Sequence, residues 1–227
     1  MKELLKVVKH KICAPVFEKT VDETFKSAEM YIDSGADLLE IRIDALKNPT
    51  PKMALNLIKE IDFPVIATNR ISTEGGFFSG SEQERTDILM ASAKEAEYVD
   101  IELNCREDLR SQVTESAHCS IISFHDFEKT PSLKELLQVV EQEREIGDIS
   151  KFAVTPQNIS DTITVLNVLS EYPDTVAISM GEMGKYTRVV GPLLGAPFTF
   201  ASAGCTTAPG QLDLKSTRFI LDKLAQK

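Results

Sequence analysis

Eight short apolar runs with β-branched character recur along the chain, separated by segments with the 3.6-residue period of amphipathic helices. The predicted strands are Lys11–Val16, Asp37–Ile43, Pro64–Asn69, Tyr98–Leu103, Cys119–Phe124, Lys151–Val154, Thr175–Met180 and Phe198–Ser202. The predicted helices are Val21–Asp33, Lys52–Glu60, Glu82–Lys94, Asp108–Ala117, Leu133–Glu145, Ser160–Glu171 and Asp213–Leu224. Regular alternation with short connections predicts a parallel sheet covered by helices.

Eight such units in 227 residues predict a single-domain (β/α)8 TIM barrel. A doubly wound sheet is the alternative. It is disfavoured because the segment after the first strand, CAPVFEKT, lacks the glycines of a dinucleotide-binding turn. No linker or low-complexity stretch divides the chain.

The composition excludes several classes of protein. Hydrophobic residues make up 42% of the chain, enough for a core, but no apolar run approaches the roughly 18 residues of a membrane span. The net charge of -10 argues against a nucleic-acid surface. We see no secretory signal and no metal-ligand spacing among the four cysteines, Cys13, Cys105, Cys119 and Cys205. We therefore expect a cytoplasmic protein with reduced thiols and no metal.

Polar residues gather at and beside the ends of the predicted strands, where the active site of a barrel forms. They combine a lysine, a histidine, carboxylates and arginines. The set is Glu40, Arg42, Arg70, Glu74, His125, Lys151, Arg188 and Gln211.

Lys151 lies in an apolar strand, where a charged amine gains nothing from its neighbours. A lysine at a strand start is commonly a structural residue whose stem lies along apolar surface. The functional interpretation is that burial and nearby positive charge favour the neutral amine, which can attack a carbonyl carbon. His125 is the one histidine at a predicted strand end, and it suits general acid–base work there. Glu74 could orient its ring, although the simpler interpretation is a solvated loop carboxylate.

Five motifs, in order along nearly the whole chain, resemble those of the type I 3-dehydroquinate dehydratase family. EIRID resembles the family's E-x-R-x-D strand, and TNRISTEGG its T-F-R-x-x-x-E-G-G segment. SFHDFEKTP resembles the histidine signature, KFAVTPQ the strand of the Schiff-base lysine, and TTAPGQ the end of the lid.

The resemblance implies a shikimate-pathway enzyme that dehydrates 3-dehydroquinate to 3-dehydroshikimate without a metal or organic cofactor. Lys151 would form an iminium with the substrate ketone. His125 would remove the adjacent proton and later protonate the departing hydroxyl, which implies syn elimination, and Glu74 would orient His125. The family also suggests a homodimer.

Substrate contacts follow from the same motifs. Arg188 would bind the substrate carboxylate, assisted by Thr207 and Gln211. Glu40, Arg42 and Arg70 would contact the ring hydroxyls. Met180 and Phe200 would form an apolar wall, and residues 201–209 a closing lid.

The chain departs from the family at three positions. Ile178 stands where a second methionine is common, Thr207 where the lid often has serine, and Asn69 beside Arg70 where phenylalanine is frequent. None of the three departures removes a catalytic group.

Two other functions fit a barrel with these residues. A class I Schiff-base aldolase would need a phosphate site after the seventh and eighth strands, whereas Arg188 and TTAPGQ suit a carboxylate. A non-catalytic barrel is disfavoured because Lys151, His125 and Glu74 are all present.

Overall fold

Eight parallel strands form one sheet that curls into a nearly closed barrel in the computed structural model, which describes residues 10–203 and 210–225. The strands are β1 (Lys11–Val16), β2 (Leu38–Arg42), β3 (Val65–Thr68), β4 (Tyr98–Glu102), β5 (Ser120–Asp126), β6 (Ile149–Val154), β7 (Val176–Ser179) and β8 (Phe198–Phe200). Each strand pairs with the next from β1 to β7, and β1 also pairs with β8. Within the described residues, β7 and β8 share no ladder of hydrogen bonds, so the barrel has a seam between them.

Helices follow each strand and cover the outside of the barrel, which confirms the predicted fold. They are α1 (Val21–Asp33), α2 (Pro51–Ile61), α3 (Glu82–Ser92), α4 (Glu107–Ser116), α5 (Leu133–Ile146), α6 (Ile159–Glu171), α7 (Gly181–Gly184), α8 (Thr187–Leu194) and α9 (Leu214–Ala225). None of the helices in the described ranges is long and apolar enough to cross a membrane.

Side chains at the helix starts satisfy backbone N–H groups that have no partner within the helix. The Thr20 hydroxyl accepts from the N–H of Glu23 at the start of α1. Ser81 precedes α3 and Ser132 precedes α5, and each forms a capping box. In this arrangement the serine side chain accepts from the backbone N–H of the third helical residue, a glutamate, whose side chain accepts from the serine N–H. These caps fix where each helix leaves the loop above the barrel.

Alternation along each strand separates two apolar regions. Residues such as Val99 and Ile101 face outward and pack against the helices. The opposite faces of the strands fill the barrel interior, where Leu38, Ile121 and Phe198 lie near the N-terminal ends of their strands. Toward the C-terminal ends, β2, β4 and β6 direct the polar side chains of Glu40, Asp100 and Lys151 inward, whereas the β7–β8 side stays apolar. These polar side chains define the site.

One carboxyl group is buried outside the barrel interior. Glu143 on α5 is fully buried, and neither of its oxygens makes a hydrogen bond of ordinary geometry to the described residues. Burial raises the pKa of Glu143 well above its usual value, although the backbone N–H of Lys151 opposes the shift.

Candidate active site

Lys151 and His125 lie on neighbouring strands and face into the barrel. The register pairs Ser123 on β5 with Lys151 on β6, and His125 with Ala153. Because side chains two residues apart share a face, Ser123 and His125 project to the same side as Lys151. Both strands are longer than predicted: β5 continues through His125 to Asp126, and β6 begins at Ile149, which places Lys151 in mid-strand.

The Lys151 amine is surrounded by carboxylates and an aromatic ring. Its Nζ atom lies 2.7 Å from Oδ2 of Asp100 and 3.5 Å from Oε1 of Glu40. The ring of Phe200 lies 4.6 Å from Nζ, centroid to nitrogen. The sequence predicted positive charge around this amine, and the structure instead places two buried carboxylates against it, because β2 and β4 also direct polar side chains inward.

Glu74 holds His125 at two points. Its Oε2 atom accepts a hydrogen bond from the backbone N–H of His125 at 3.0 Å and lies 2.9 Å from Nδ1 of the ring. Asn104 donates weakly to the other carboxylate oxygen, at 3.5 Å. The contact between the two side chains uses Oε2 of Glu74 and Nδ1 of His125. Nε2 is therefore the ring nitrogen available to a ligand.

Two glycines bring Glu74 to this position. Glu74 ends a 3-10 turn, Ser72–Glu74, and Gly75 follows with a φ of 78°, which favours glycine. A Cβ on Gly76 would clash with the carbonyl oxygen of Arg70. The sequence EGG therefore presses the loop against the end of β3 and turns the glutamate inward.

Burial shifts the pKa of both members of this pair. It raises the pKa of Glu74 to about 7, although the charge of Arg70 opposes the shift. Burial, with the charges of Arg70 and Lys151, lowers the pKa of His125 well below its usual value. At neutral pH the imidazole is therefore neutral and can accept a proton, while Glu74 is poised to gain or lose one.

The cavity above Lys151 contains about 640 Å³ of empty space, including its open mouth. Ten of the eleven predicted site residues line it together with Ile178, namely Glu40, Arg42, Arg70, Glu74, His125, Lys151, Met180, Arg188, Phe200 and Gln211. The eleventh, Thr207, lies outside the described residues, as does most of the predicted lid. Asn69 is turned away from the cavity and donates to the backbone oxygen of Arg85.

The three arginines differ in their surroundings. Arg70 is buried and donates to Asp100, Glu102 and Ser123. Arg42 forms a two-point ion pair with Asp44, with distances of 2.9 and 2.7 Å. Arg188 on α8 is buried, and burial lowers its pKa to about 10, which still leaves it charged at neutral pH.

Asp100, Glu102 and Ser123 also belong to the site, although none of them is among the residues predicted from the sequence. In YVDIEL the two acidic residues alternate with apolar ones, so a strand must turn both carboxylates to one face. Acidic residues at alternate positions of a buried strand are the sequence pattern that could have indicated Asp100 and Glu102. Their partners depend on the register of β4 against β3 and β5, which the sequence does not give.

The described residues contain no group of three histidine, cysteine or acidic side chains that could hold a metal ion. The polar groups of the cavity are those of acid–base and amine chemistry instead. A neutral imidazole, a carboxyl near neutrality and a buried amine can together move protons at a carbon next to a carbonyl.

Comparisons with known proteins agree on one family. Residues 12–227 match the family described as type I 3-dehydroquinase. A 3-dehydroquinate dehydratase from Methanothermobacter thermautotrophicus is 57% identical over 94% of this chain and 97% of its own length. One from Methanobrevibacter smithii is 45% identical over 93% of this chain and 95% of its own length.

Solved structures agree with the sequence relatives. A type I 3-dehydroquinate dehydratase from Clostridium difficile with covalently modified comenic acid is 29% identical, with a TM-score of 0.89. The similarity covers 96% of this chain and 92% of that one. A 3-dehydroquinate dehydratase from Geobacillus kaustophilus gives the same identity and TM-score over 96% and 91% of the two chains.

Proposed function

The chain belongs to the type I 3-dehydroquinase family, and on that premise we propose that Lys151, His125 and Glu74 carry out its reaction. The chain is a hydro-lyase that dehydrates 3-dehydroquinate to 3-dehydroshikimate, a step of the shikimate pathway.

Lys151 is the nucleophile. Its amine gives up one proton and attacks the substrate ketone. Return of that proton and loss of water from the adduct leave an iminium at Nζ. The iminium draws electrons from the neighbouring carbon more strongly than the ketone does, so the proton on that carbon becomes removable by a mild base. The covalently modified ligand in the Clostridium difficile relative supports a site of this kind.

His125 is the base and then the acid. With Nδ1 held by Glu74 at 2.9 Å, Nε2 of the neutral ring takes the proton and an enamine forms. The resulting imidazolium returns a proton to the hydroxyl that departs from the next carbon. Since one residue serves both atoms, they must lie on one face of the ring, and the elimination is syn. Glu74 stabilises the imidazolium between the two steps.

The remaining lining residues position the substrate. Arg188 binds the substrate carboxylate through two parallel hydrogen bonds, with Gln211 and Thr207 as further donors. Glu40, Arg42 and Arg70 contact the ring hydroxyls, and Met180 and Phe200 cover the apolar side. All of these except Thr207 line the cavity in the described structure.

The observation that carries the proposal is the placement of Lys151 and the His125–Glu74 pair in one cavity on adjacent strands. Borohydride added with substrate or product should attach the ligand to the protein, and peptide mapping should place it on Lys151. Lys129 and Lys185 are internal controls. Labelling of either one instead of Lys151 would show that another amine is the nucleophile.

We propose further that the chain forms a single catalytic domain, assembles as a homodimer and acts in the cytoplasm without binding nucleic acid or membranes. The single sheet supports one domain, and the free thiols of Cys13, Cys105 and Cys119 fit a reducing compartment. Sedimentation equilibrium would test the dimer, since a monomer mass at micromolar concentration contradicts it.

A further inference from the structure

We propose that Asp100 is the counter-ion of the nitrogen through which Lys151 bonds the substrate. This inference rests on the Schiff-base role of Lys151 proposed above. Asp100, on β4, would keep that nitrogen positively charged after the covalent bond has formed.

Asp100 is held at both of its carboxylate oxygens. Oδ2 lies 2.7 Å from Nζ of Lys151. Oδ1 accepts from Nη2 of Arg70 at 2.7 Å and from the Ser123 hydroxyl at 2.7 Å. The side chain has no exposed surface, so its contacts are not exchanged with water. Burial alone would raise the pKa of Asp100, but the charges of Arg70 and Lys151 outweigh burial and hold that pKa well below its usual value.

A second layer of charges fixes Arg70 in turn. Its Nη1 atom donates to Oε1 of Glu102 at 2.9 Å. Arg85 on α3, also fully buried, donates to Oε2 of the same carboxylate at 2.6 Å. A carboxylate braced in this way cannot reorient when the charge beside it changes, which is the property of a preorganised electrostatic site.

The formal charges of the buried groups in this network balance when the nitrogen of Lys151 is positive. Lys151, Arg70 and Arg85 face three buried carboxylates, which belong to Asp100, Glu102 and Glu40. Arg85 also lies 3.7 Å from Glu82, which is partly exposed to water. A neutral nitrogen at Nζ would leave one buried carboxylate uncompensated, and such a group is costly in a low-dielectric interior.

Formation of the Schiff base preserves this balance. The lysine ammonium and the ketone give an iminium and one water: the nitrogen loses two hydrogens, the ketone oxygen leaves with them as water, and one positive charge stays on nitrogen. The ion pair at 2.7 Å is therefore present on both sides of the step. Deprotonation to a neutral imine would abolish the pair, so Asp100 holds the Schiff base in the cationic form that withdraws electrons.

Glu40 is less suited to this task. Its Oε1 atom lies 3.5 Å from Nζ and already accepts from the Thr68 hydroxyl at 3.0 Å. The shorter and better-braced contact is the one with Asp100.

Asp100→Asn tests the inference, because it removes the charge and keeps the shape. Cyanoborohydride reduces only the protonated Schiff base, so its trapping rate with 3-dehydroshikimate should be measured between pH 6 and 9 and the adduct mapped. The trapping rate of the wild-type protein should stay constant up to a higher pH than that of Asp100→Asn. In Asp100→Asn, the midpoint for loss of trapping should move down by about 1–3 pH units, the usual effect of an adjacent opposite charge.

Asp37→Asn is the matched control, since Asp37 also pairs with an arginine, Arg218, but lies before β2 at the far end of the barrel. Its trapping profile should match wild type. Ser123→Ala removes one donor to Asp100 and should give a smaller shift in the same direction, even if Asp100→Asn does not fold.

Two negative results are distinguishable. Failure of the wild-type protein to form an adduct on Lys151 would overturn the proposed function and this inference together. A wild-type adduct on Lys151 with unchanged midpoints in Asp100→Asn, or in Ser123→Ala if only that variant folds, would overturn the counter-ion role and leave the proposed function standing.

Discussion

Oε2 of Glu74 binds His125 twice, through the backbone N–H at 3.0 Å and through ring Nδ1 at 2.9 Å. Because both contacts converge on one oxygen, movement of the carboxylate would displace the strand end and the imidazole together. Glu74 thereby fixes the position of the imidazole ring relative to the backbone of β5. This coupling underlies the first two predictions.

His125→Ala should lower kcat by roughly 100-fold or more, the range typical for loss of a general acid–base group. The amine of Lys151 remains, so borohydride should still attach product to the protein. Turnover is followed by the ultraviolet absorbance of the enone product. Near-native turnover in His125→Ala would contradict the acid–base role.

The ionisation of Glu74 should appear in the pH profile of kcat/KM. Its pKa in the folded protein is raised to about 7, so below that pH it is protonated and cannot hold the imidazolium. Activity should therefore rise with pH through an apparent value near 7 that belongs to the pair. Glu74→Gln should remove this rise and lower kcat by about 10- to 100-fold, an effect typical of losing the partner that orients a histidine. An unchanged profile would show that another group titrates.

Arg188 should determine substrate affinity. At a net charge of -10 the protein repels an anion at long range, so binding depends on short directed contacts. Arg188→Ala should raise KM strongly and lower kcat, with a combined cost of about 2–5 kcal/mol. Arg188→Lys should recover only part of this, because lysine cannot form two parallel hydrogen bonds to a carboxylate. Unchanged kcat/KM in the alanine variant would place the carboxylate elsewhere, with Arg70 as the next candidate.

Glu143 should make the folded protein less stable as the pH rises. Its pKa is higher in the folded state than in the unfolded chain, so the folded state holds the proton more tightly. The contribution of Glu143 to the free energy of unfolding is then greatest below pH 4.5 and declines as pH rises toward the folded pKa. Glu143→Gln should stabilise the protein by about 1–3 kcal/mol at pH 8, with a smaller gain at pH 5.

Urea unfolding at the two pH values measures this effect. Glu145→Gln is the matched control, since Glu145 lies on the same helix and is exposed. It should leave stability unchanged at both values. An equal gain in the free energy of unfolding from both substitutions would show that the effect comes from net charge rather than from burial.

Dialysis against EDTA should leave turnover unchanged, because the proposed chemistry uses only an amine, an imidazole and carboxylates. Activity is compared before and after dialysis, and again after divalent cations are added back. A loss that a cation restores would require a metal-assisted mechanism.

Most of the barrel was predictable because parallel strands buried on both faces are continuous apolar runs. The bounds of β1 and α1 agree residue for residue with the sequence prediction. Helices α7 and α8 were not predicted: Gly181–Gly184 is too short to show a period, and Gly191 with Pro192 interrupts the pattern of α8.

The site was predictable where a single residue was chemically out of place in its strand, as with Lys151. It was not predictable where function depends on which strands are neighbours. Asp100 contacts Lys151 across β5, which lies between β4 and β6 in the sheet. That contact requires the curvature of a barrel, because on a flat sheet two strands separated by a third would stand about 10 Å apart.

The seam between β7 and β8 means that a bound substrate can connect strands that the backbone does not connect directly. A ligand bonded to Lys151 on β6 and in contact with Phe200 on β8 spans the gap that the backbone leaves open. It would add a link across the seam to the contact that Lys151 and Phe200 already make there.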